Sequence, residues 1–206
     1  MSKSIKYKIE FHTDWHCGSG LSAGADVDAL VIKDRNGIAF IPGKTIKGLV
    51  REAVEEMLLV GGRDMSEDKR LLFKECFGNS EDRNIDSHIA SNDEDDKYKY
   101  LSKGSTFFSN AELSEGESSA IKSNNAASFM YRQISNTAIG EDGIAQEHSL
   151  RKMETVVPCT LYGEILDIPD GFESNIADAL RYIKRLGQSR NRGLGRCTIT
   201  LTEGGK

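Results

Sequence analysis

The ten residues Gly187-Gln-Ser-Arg-Asn-Arg-Gly-Leu-Gly-Arg196 combine three glycines with three arginines. Glycine reaches positive φ and lets a ligand approach the main chain, where successive amides hold an anion. Arg190, Arg192 and Arg196 add forked donors matched to phosphate. A glycine-rich turn with solvated arginines has the same composition, and the residues alone leave both readings open. A second stretch, Ile41-Pro-Gly-Lys-Thr-Ile-Lys-Gly-Leu-Val-Arg51, sets Lys44, Lys47 and Arg51 on one side of an expected helix start. Amides at a helix N-terminus beside lysines suit phosphate; an ordinary capped helix with a charged face explains the stretch equally. Its glycine spacing departs from the P-loop pattern, which excludes an NTPase. The third, Gly18-Ser-Gly-Leu-Ser-Ala-Gly-Ala-Asp-Val-Asp28, carries two acids, Asp26 and Asp28. A carboxylate there either holds a metal or orients a 2′-hydroxyl in RNA cleavage, or it simply caps loop amides. His12, His16 and Cys17 lie close together, but zinc takes four ligands and no partner pair is visible. No zinc site is assigned.

These segments need elements to position them. Ile5, Tyr7, Ile9 and Phe11 alternate with polar residues, the period of a half-buried strand. Leu30-Val-Ile32 and Ile38-Ala-Phe-Ile41 flank Asn36-Gly37, a hairpin signal. Ile46, Leu49, Val50, Ala53, Val54, Met57 and Leu58 form a helical stripe, with Thr45 as the expected N-cap and Gly61-Gly62 beyond its end. Residues 63–104 are polar and without period, so an irregular insertion is expected there. Phe107, Ser109, Ala111 and Leu113 suggest a strand, and 159–166 another. Between them, 114–157 is a second insertion with a turn at Gly140-Glu-Asp-Gly143. Ile176, Leu180, Ile183 and Leu186 make a second helical stripe, capped by Ser174 or Asn175 and stopped by Gly187. Cys197, Ile199 and Leu201 alternate with threonines in a last strand. Without the insertions the order is β-α-β-β-α-β. This α+β, ferredoxin-like plan is also that of RNA-recognition modules. The aromatic stacking motif of a standard RNA-recognition domain is absent, so the plan does not itself imply RNA binding.

With 206 residues, 38% hydrophobic and 29% charged, the chain suits one domain with a sizeable core. Its four cysteines are dispersed, as expected of reduced thiols. No run nears the roughly 18 apolar residues of a membrane span. The first residues also lack the apolar region of a signal peptide, so a cytoplasmic protein without membrane contact is expected. The net charge of −5 conceals an uneven distribution. Acid gathers at Ser91-Asn-Asp-Glu-Asp-Asp96, whereas residues 181–196 hold six cations and no acid.

Three blocks occur in order: Asp28-Ala-Leu-Val-Ile-Lys-Asp34 followed by Ile41-Pro-Gly-Lys-Thr-Ile-Lys-Gly48; Ser149-Leu-Arg-Lys-Met-Glu154 leading to Gly163-Glu-Ile165; and the 187–196 loop. Together they resemble the RAMP superfamily, the repeat-associated proteins of CRISPR systems, and most of all the repeating backbone subunit of type III effector complexes. The resemblance covers most of the chain outside the first insertion. It implies one RAMP domain over 1–206, with insertions at about 60–105 and 114–157, the second holding a thumb-like β-hairpin around 131–150. It implies partners as well: CRISPR RNA, target RNA, other effector subunits and further copies of the chain. In such a subunit Lys44, Lys47, Arg51, Arg132, Gly187, Arg190, Arg192, Gly193, Gly195 and Arg196 would contact RNA. The resemblance further implies that Asp28, with Asp26 as the fallback, cleaves target RNA using a divalent metal such as Mg. The chain has Ser109-Asn110 where the family's strand often carries Arg-Asp, and Lys44-Thr-Ile-Lys-Gly48 for Ser-Ser-Leu-Lys-Gly. Two other functions stay open: an architectural subunit that binds guide RNA without cutting, and a CRISPR RNA-processing endoribonuclease using His12 or His16.

Overall fold

The computed structural model describes residues 3–24, 26–60, 67–78, 103–141 and 143–202. Along the chain these form β1 (Lys3–Phe11), α1 (Gly43–Val60), α2 (Glu67–Phe77), β2 (Phe107–Phe108), α3 (Glu115–Ser123), β3 (Tyr131–Asn136), β4 (Arg151–Val156), β5 (Thr160–Ile168), α4 (Glu173–Tyr182) and β6 (Cys197–Thr202). One sheet has the order β2-β5-β1-β6 with every neighbour antiparallel. The strands β3 and β4 pair separately as a two-stranded ribbon. Setting the insertions aside, the order β1-α1-β2-β5-α4-β6 follows the expected β-α-β-β-α-β succession.

Alternation decides which face of the sheet is buried. Tyr7, Ile9 and Phe11 of β1, Leu161 and Ile165 of β5, and Ile199 of β6 share one core with Ile46, Val50 and Val54 of α1 and Ile176 and Leu180 of α4. Lys6, Glu10 and Tyr162 stay exposed on the other face. Asp34 fixes the hairpin at Asn36-Gly37, its Oδ1 accepting the amides of Asn36 and Ile38 at 2.8 Å each. A side chain that ties its own turn in this way is the usual reason for Asp at such a position.

Several boundaries differ from expectation for identifiable reasons. The first helix starts at Gly43, ahead of Thr45, because Asn110 Oδ1 accepts the Gly43 amide at 3.0 Å from 67 residues away. That bond satisfies one of the amides a helix start leaves open. The amides of Thr45 and Ile46 both donate to Pro42 O. Asn110→Ala is expected to lower stability by about 1 kcal/mol, as loss of a cap does, read as a shifted denaturant midpoint at unchanged slope. Part of the first insertion is helix rather than irregular chain: α2 buries Phe73, Cys76 and Phe77. Phe77 lies 4.9 Å from Phe73, 6.0 Å from Phe108 and 6.3 Å from Phe172, between ring centroids, all within the range of favourable aromatic pairs. Residues 79–102 of that insertion, with the acidic run at 91–96, lie outside the described residues.

The fourth helix begins at Glu173, so Ser174 and Asn175 sit within its first turn instead of capping it, and it ends at Tyr182. Ile183 and Leu186 are buried from an extended segment, where Leu186 N donates to Gly195 O and Cys197 N to Lys184 O. Gly187 therefore follows that extended segment, packed against the His16 backbone, and does not stop the helix. The second insertion holds α3, closed by a Ser114–Glu117 capping box. It also holds the β3–β4 ribbon, in register from Tyr131↔Val156 to Asn136↔Arg151. The base of the ribbon is tied down, since Trp15 pairs with Val156 and Ala29 with Met153. All four cysteines are free, and burial pushes the thiols of Cys76, Cys159 and Cys197 up to about 11, as desolvation of a thiolate does.

Candidate nucleic-acid interface

Asp28 leads the extended segment running beside β4. Its amide donates to Lys152 O at 2.9 Å, and its Oδ2 accepts the Lys152 amide at 2.8 Å. Arg151 lies 3.5 Å from its Oδ1. The Asp28 side chain is 43% exposed and that of Arg151 72%, so this pair is loose and solvated. A firmer contact lies below it. Glu154, whose side chain is 12% exposed, accepts the Val31 amide at 3.0 Å and Lys33 Nζ at 2.7 Å, while its own amide donates to Ala29 O. Lys33 Nζ also sits 3.9 Å from the centroid of the Tyr131 ring. This cation–π contact fixes the segment against both ribbon strands.

The 187–196 loop is tied chiefly to residues 13–16. Gln188 N donates to His16 O, Arg192 N to Ser189 O, Gly195 N to Asp14 O and Arg196 N to Thr13 Oγ1. Those four amides are spent on protein partners. The three arginines remain exposed and point to different places. Arg192 enters a groove of about 490 Å³ whose other walls include Asp28, Ser149, Arg151, Lys152 and Gln188. Arg190 borders a separate cleft of about 390 Å³ between α1 and the end of α4, with Lys184 and Arg185. Arg185 Nη1 donates to Arg190 O.

The second anion-binding candidate does not join this groove. Lys44 is exposed beside a different concavity of about 790 Å³, with Asn110, Glu112 and Glu164. Lys47 is half-buried, its Nζ 5.9 Å from the Phe108 centroid. Burial lowers its pKa, since desolvation disfavours the ammonium form. Arg51 bonds Glu55 at 3.0 Å and stacks 5.6 Å from the Phe73 centroid. Packing explains two of these three cations. Arg132 lies 3.1 Å from Asp14, whose backbone oxygen holds Gly195, so it ties the ribbon to the loop. Asp26 stands in the turn between Ala23 and Val27, exposed and not part of the Asp28 groove.

The histidines diverge. His12 Nε2 meets Thr198 Oγ1 at 2.7 Å, whereas His16 is fully buried with Nδ1 2.6 Å from Glu154 O. Among the described residues no three His, Cys, Asp or Glu side chains gather as a metal site. Ser149, Arg151, Lys152 and Gln188 complete the groove without being singled out by the sequence. The signal for Ser149, Arg151 and Lys152 is present in the Ser149–Glu154 block, but only the ribbon's register brings that block to Asp28, while Gln188 belongs to the 187–196 loop.

The sequence profile of the RAMP superfamily matches residues 8–198. The chain belongs to the RAMP superfamily. No curated protein matches this RAMP chain in sequence. Among solved structures it is similar to a chain of the type III-B Cmr-beta complex bound to cognate target RNA. That match has 12% identity and a TM-score of 0.64, and covers 97% of each chain. A chain of apo type III-B Cmr-beta aligns at 13% identity and a TM-score of 0.62, with 98% of each chain covered. At such identities the likeness is one of fold. No helix among the described residues is long and apolar enough to cross a membrane.

Proposed function

We propose that this RAMP protein is an RNA-binding backbone subunit of a type III effector complex, lying along CRISPR RNA and cutting the paired target RNA at Asp28. The observation that carries the reading is the joining of Asp28, Arg151 and Arg192 in one groove at the Asn136–Arg151 end of the ribbon. The similar Cmr-beta chains, one from a complex bound to target RNA, support the setting. So does the strand order β2-β5-β1-β6, read here as ferredoxin-like with β3–β4 as the thumb. Other effector subunits and further copies of the chain are its partners in this setting, and the cytoplasm its compartment.

Arg192 and Arg151 would take phosphates on either side of the carboxylate, each as a forked donor. Asp28 would stand at the attacking 2′-hydroxyl, with Oδ2 held by the Lys152 amide and Oδ1 the oxygen free to turn from Arg151 toward RNA. Among the described residues no second acid lines the groove. The donor set therefore suits a Mg²⁺ held by one carboxylate plus RNA phosphates, not by a protein cage. When bound, such an ion offsets charge at the scissile phosphate. The architectural alternative rests on the same contacts, since Lys152 and Arg151 between them face both Asp28 oxygens. Guide processing by His16 is disfavoured, the ring being fully buried and bonded to Glu154, which leaves exposed His12 to that alternative.

Guide-RNA affinity across a salt series tests the grip. Arg192→Ala is expected to weaken binding alike for unrelated guide sequences and to reduce the slope of log affinity against log salt by about 0.7–1. Unchanged affinity and slope in the Arg190→Ala/Arg192→Ala double variant would remove the loop from the interface.

A further inference from the structure

His16 touches both halves of the groove and belongs to neither. Its carbonyl accepts the Gln188 amide at 2.9 Å, holding the start of the loop. Its ring Nδ1 lies 2.6 Å from Glu154 O on β4. A carbonyl oxygen only accepts, so Nδ1 carries the proton in this bond. Nε2 is buried and has no partner among the described residues. It faces Gly18 on the side where Gln188 also reaches: a Cβ at Gly18 would lie 3.1 Å from His16 Nε2 and 3.4 Å from Gln188 Nε2. On β4, Glu154 stands close along the strand to Lys152, whose amide holds Asp28 Oδ2, and its carboxylate holds Val31 and Lys33.

We infer that His16 is a positioning residue, its Nδ1–H setting the β4 strand, and with it the Asp28 carboxylate, at a fixed reach from Arg192 on the loop. Three points support this. The ring is fully buried, so it makes no contact with RNA itself. The bond to Glu154 O spans 138 residues of sequence and joins the ribbon to the segment that also holds the loop. Finally, beyond the pairing of Val156 with Trp15, β4 is held to the body of the protein along residues 28–33, and among the described residues it makes no hydrogen bond to the 187–196 loop. The inference rests on the reading of Asp28 as the cutting residue, and its test separates the two.

Asparagine places an amide donor near the position of Nδ1, and glutamine near that of Nε2, so His16→Asn and His16→Gln differ in the one bond at issue. Hydrogen exchange in the full chain reads the strand directly. The amides of Lys152 and Glu154 are expected to exchange at least tenfold faster in His16→Gln and to stay close to wild type in His16→Asn. In the assembled complex, single-turnover cutting at saturating target should fall about tenfold in His16→Gln with guide affinity within twofold, and His16→Asn should restore the rate. Unchanged protection in His16→Gln, or equal damage in both variants, overturns the inference. If His16→Gln does not fold, nitrogen-15 spectra of the wild-type histidines decide: a proton on Nδ1 supports the inference, and one on Nε2 alone overturns it. A wild-type complex that never cuts overturns the Asp28 reading instead, leaving exchange and tautomer to judge His16.

Discussion

Complexes carrying Asp28→Asn are expected to bind guide and target RNA as the wild type does and to cut the target at least about 100-fold more slowly. General acid–base assistance by a positioned side chain contributes roughly 10²–10⁴-fold to rate, and loss of a metal-holding charge acts in the same direction. Asparagine suits the test because of what it preserves. Its oxygen still accepts the Lys152 amide, so the β4 contact that shapes the groove survives, while the negative charge facing Arg151 is removed. The site is also exposed, so folding should be little affected. Cleavage is measured in single turnover with Mg²⁺, beside guide and target affinities. Persistent cutting at every position with unchanged binding would remove Asp28 from the chemistry and favour the architectural reading.

The second large effect is expected at Gly195. It has a φ of +68°, and a Cβ there would collide with Leu186 O, a backbone atom that cannot swing aside as a side chain can. The chain cannot yield at that point without losing the Leu186 N to Gly195 O bond that joins the end of the helical region to the last strand. Gly193 provides the control, with a φ of +89° but no atom within 4 Å of a Cβ placed on it. Gly193→Ala is therefore expected to cost about 1 kcal/mol, the backbone term alone. Gly195→Ala should cost about 3 kcal/mol or more, with guide-RNA affinity falling as Arg192 loses its place. Urea midpoints of the two variants at equal slope give the comparison. Equal losses would mean that the loop relaxes around a side chain at 195.

How far the sequence reached depends on whether a residue's partner lies nearby. The alternation of β1 and the stripe of α1 are local, and both appear in the structure with the expected residues inward. The second helix escaped notice because only Phe73, Cys76 and Phe77 of its eleven residues are buried, among charges that conceal any period. Ile183 and Leu186 continue a helical spacing but are buried just as well from an extended segment, once Gly195 supplies its carbonyl. The cap of the helix beside Lys44 was hidden for a similar reason, since it is Asn110, 67 residues downstream of Gly43. Asp28 was named through a family resemblance, while its groove partner Arg151 required the ribbon's register and Gln188 the bond of its amide to His16 O. A pairing of side chains 123 residues apart leaves no trace in local composition.

The ends of the sheet differ in length. On one side the outermost strand, β2, pairs for only two residues. On the other lies β6, the six-residue run Cys-Thr-Ile-Thr-Leu-Thr, rich in β-formers and free of charge and proline. Unpaired strand margins of this kind recruit further strands, and natural proteins usually blunt them with lysine, proline or a bulge. Beyond Cys197, whose amide is taken by Lys184 O, this margin is a natural starting point for unwanted polymerisation through main-chain pairing. Thr200 is exposed on that strand, and a lysine in its place is the simplest means of suppressing such growth.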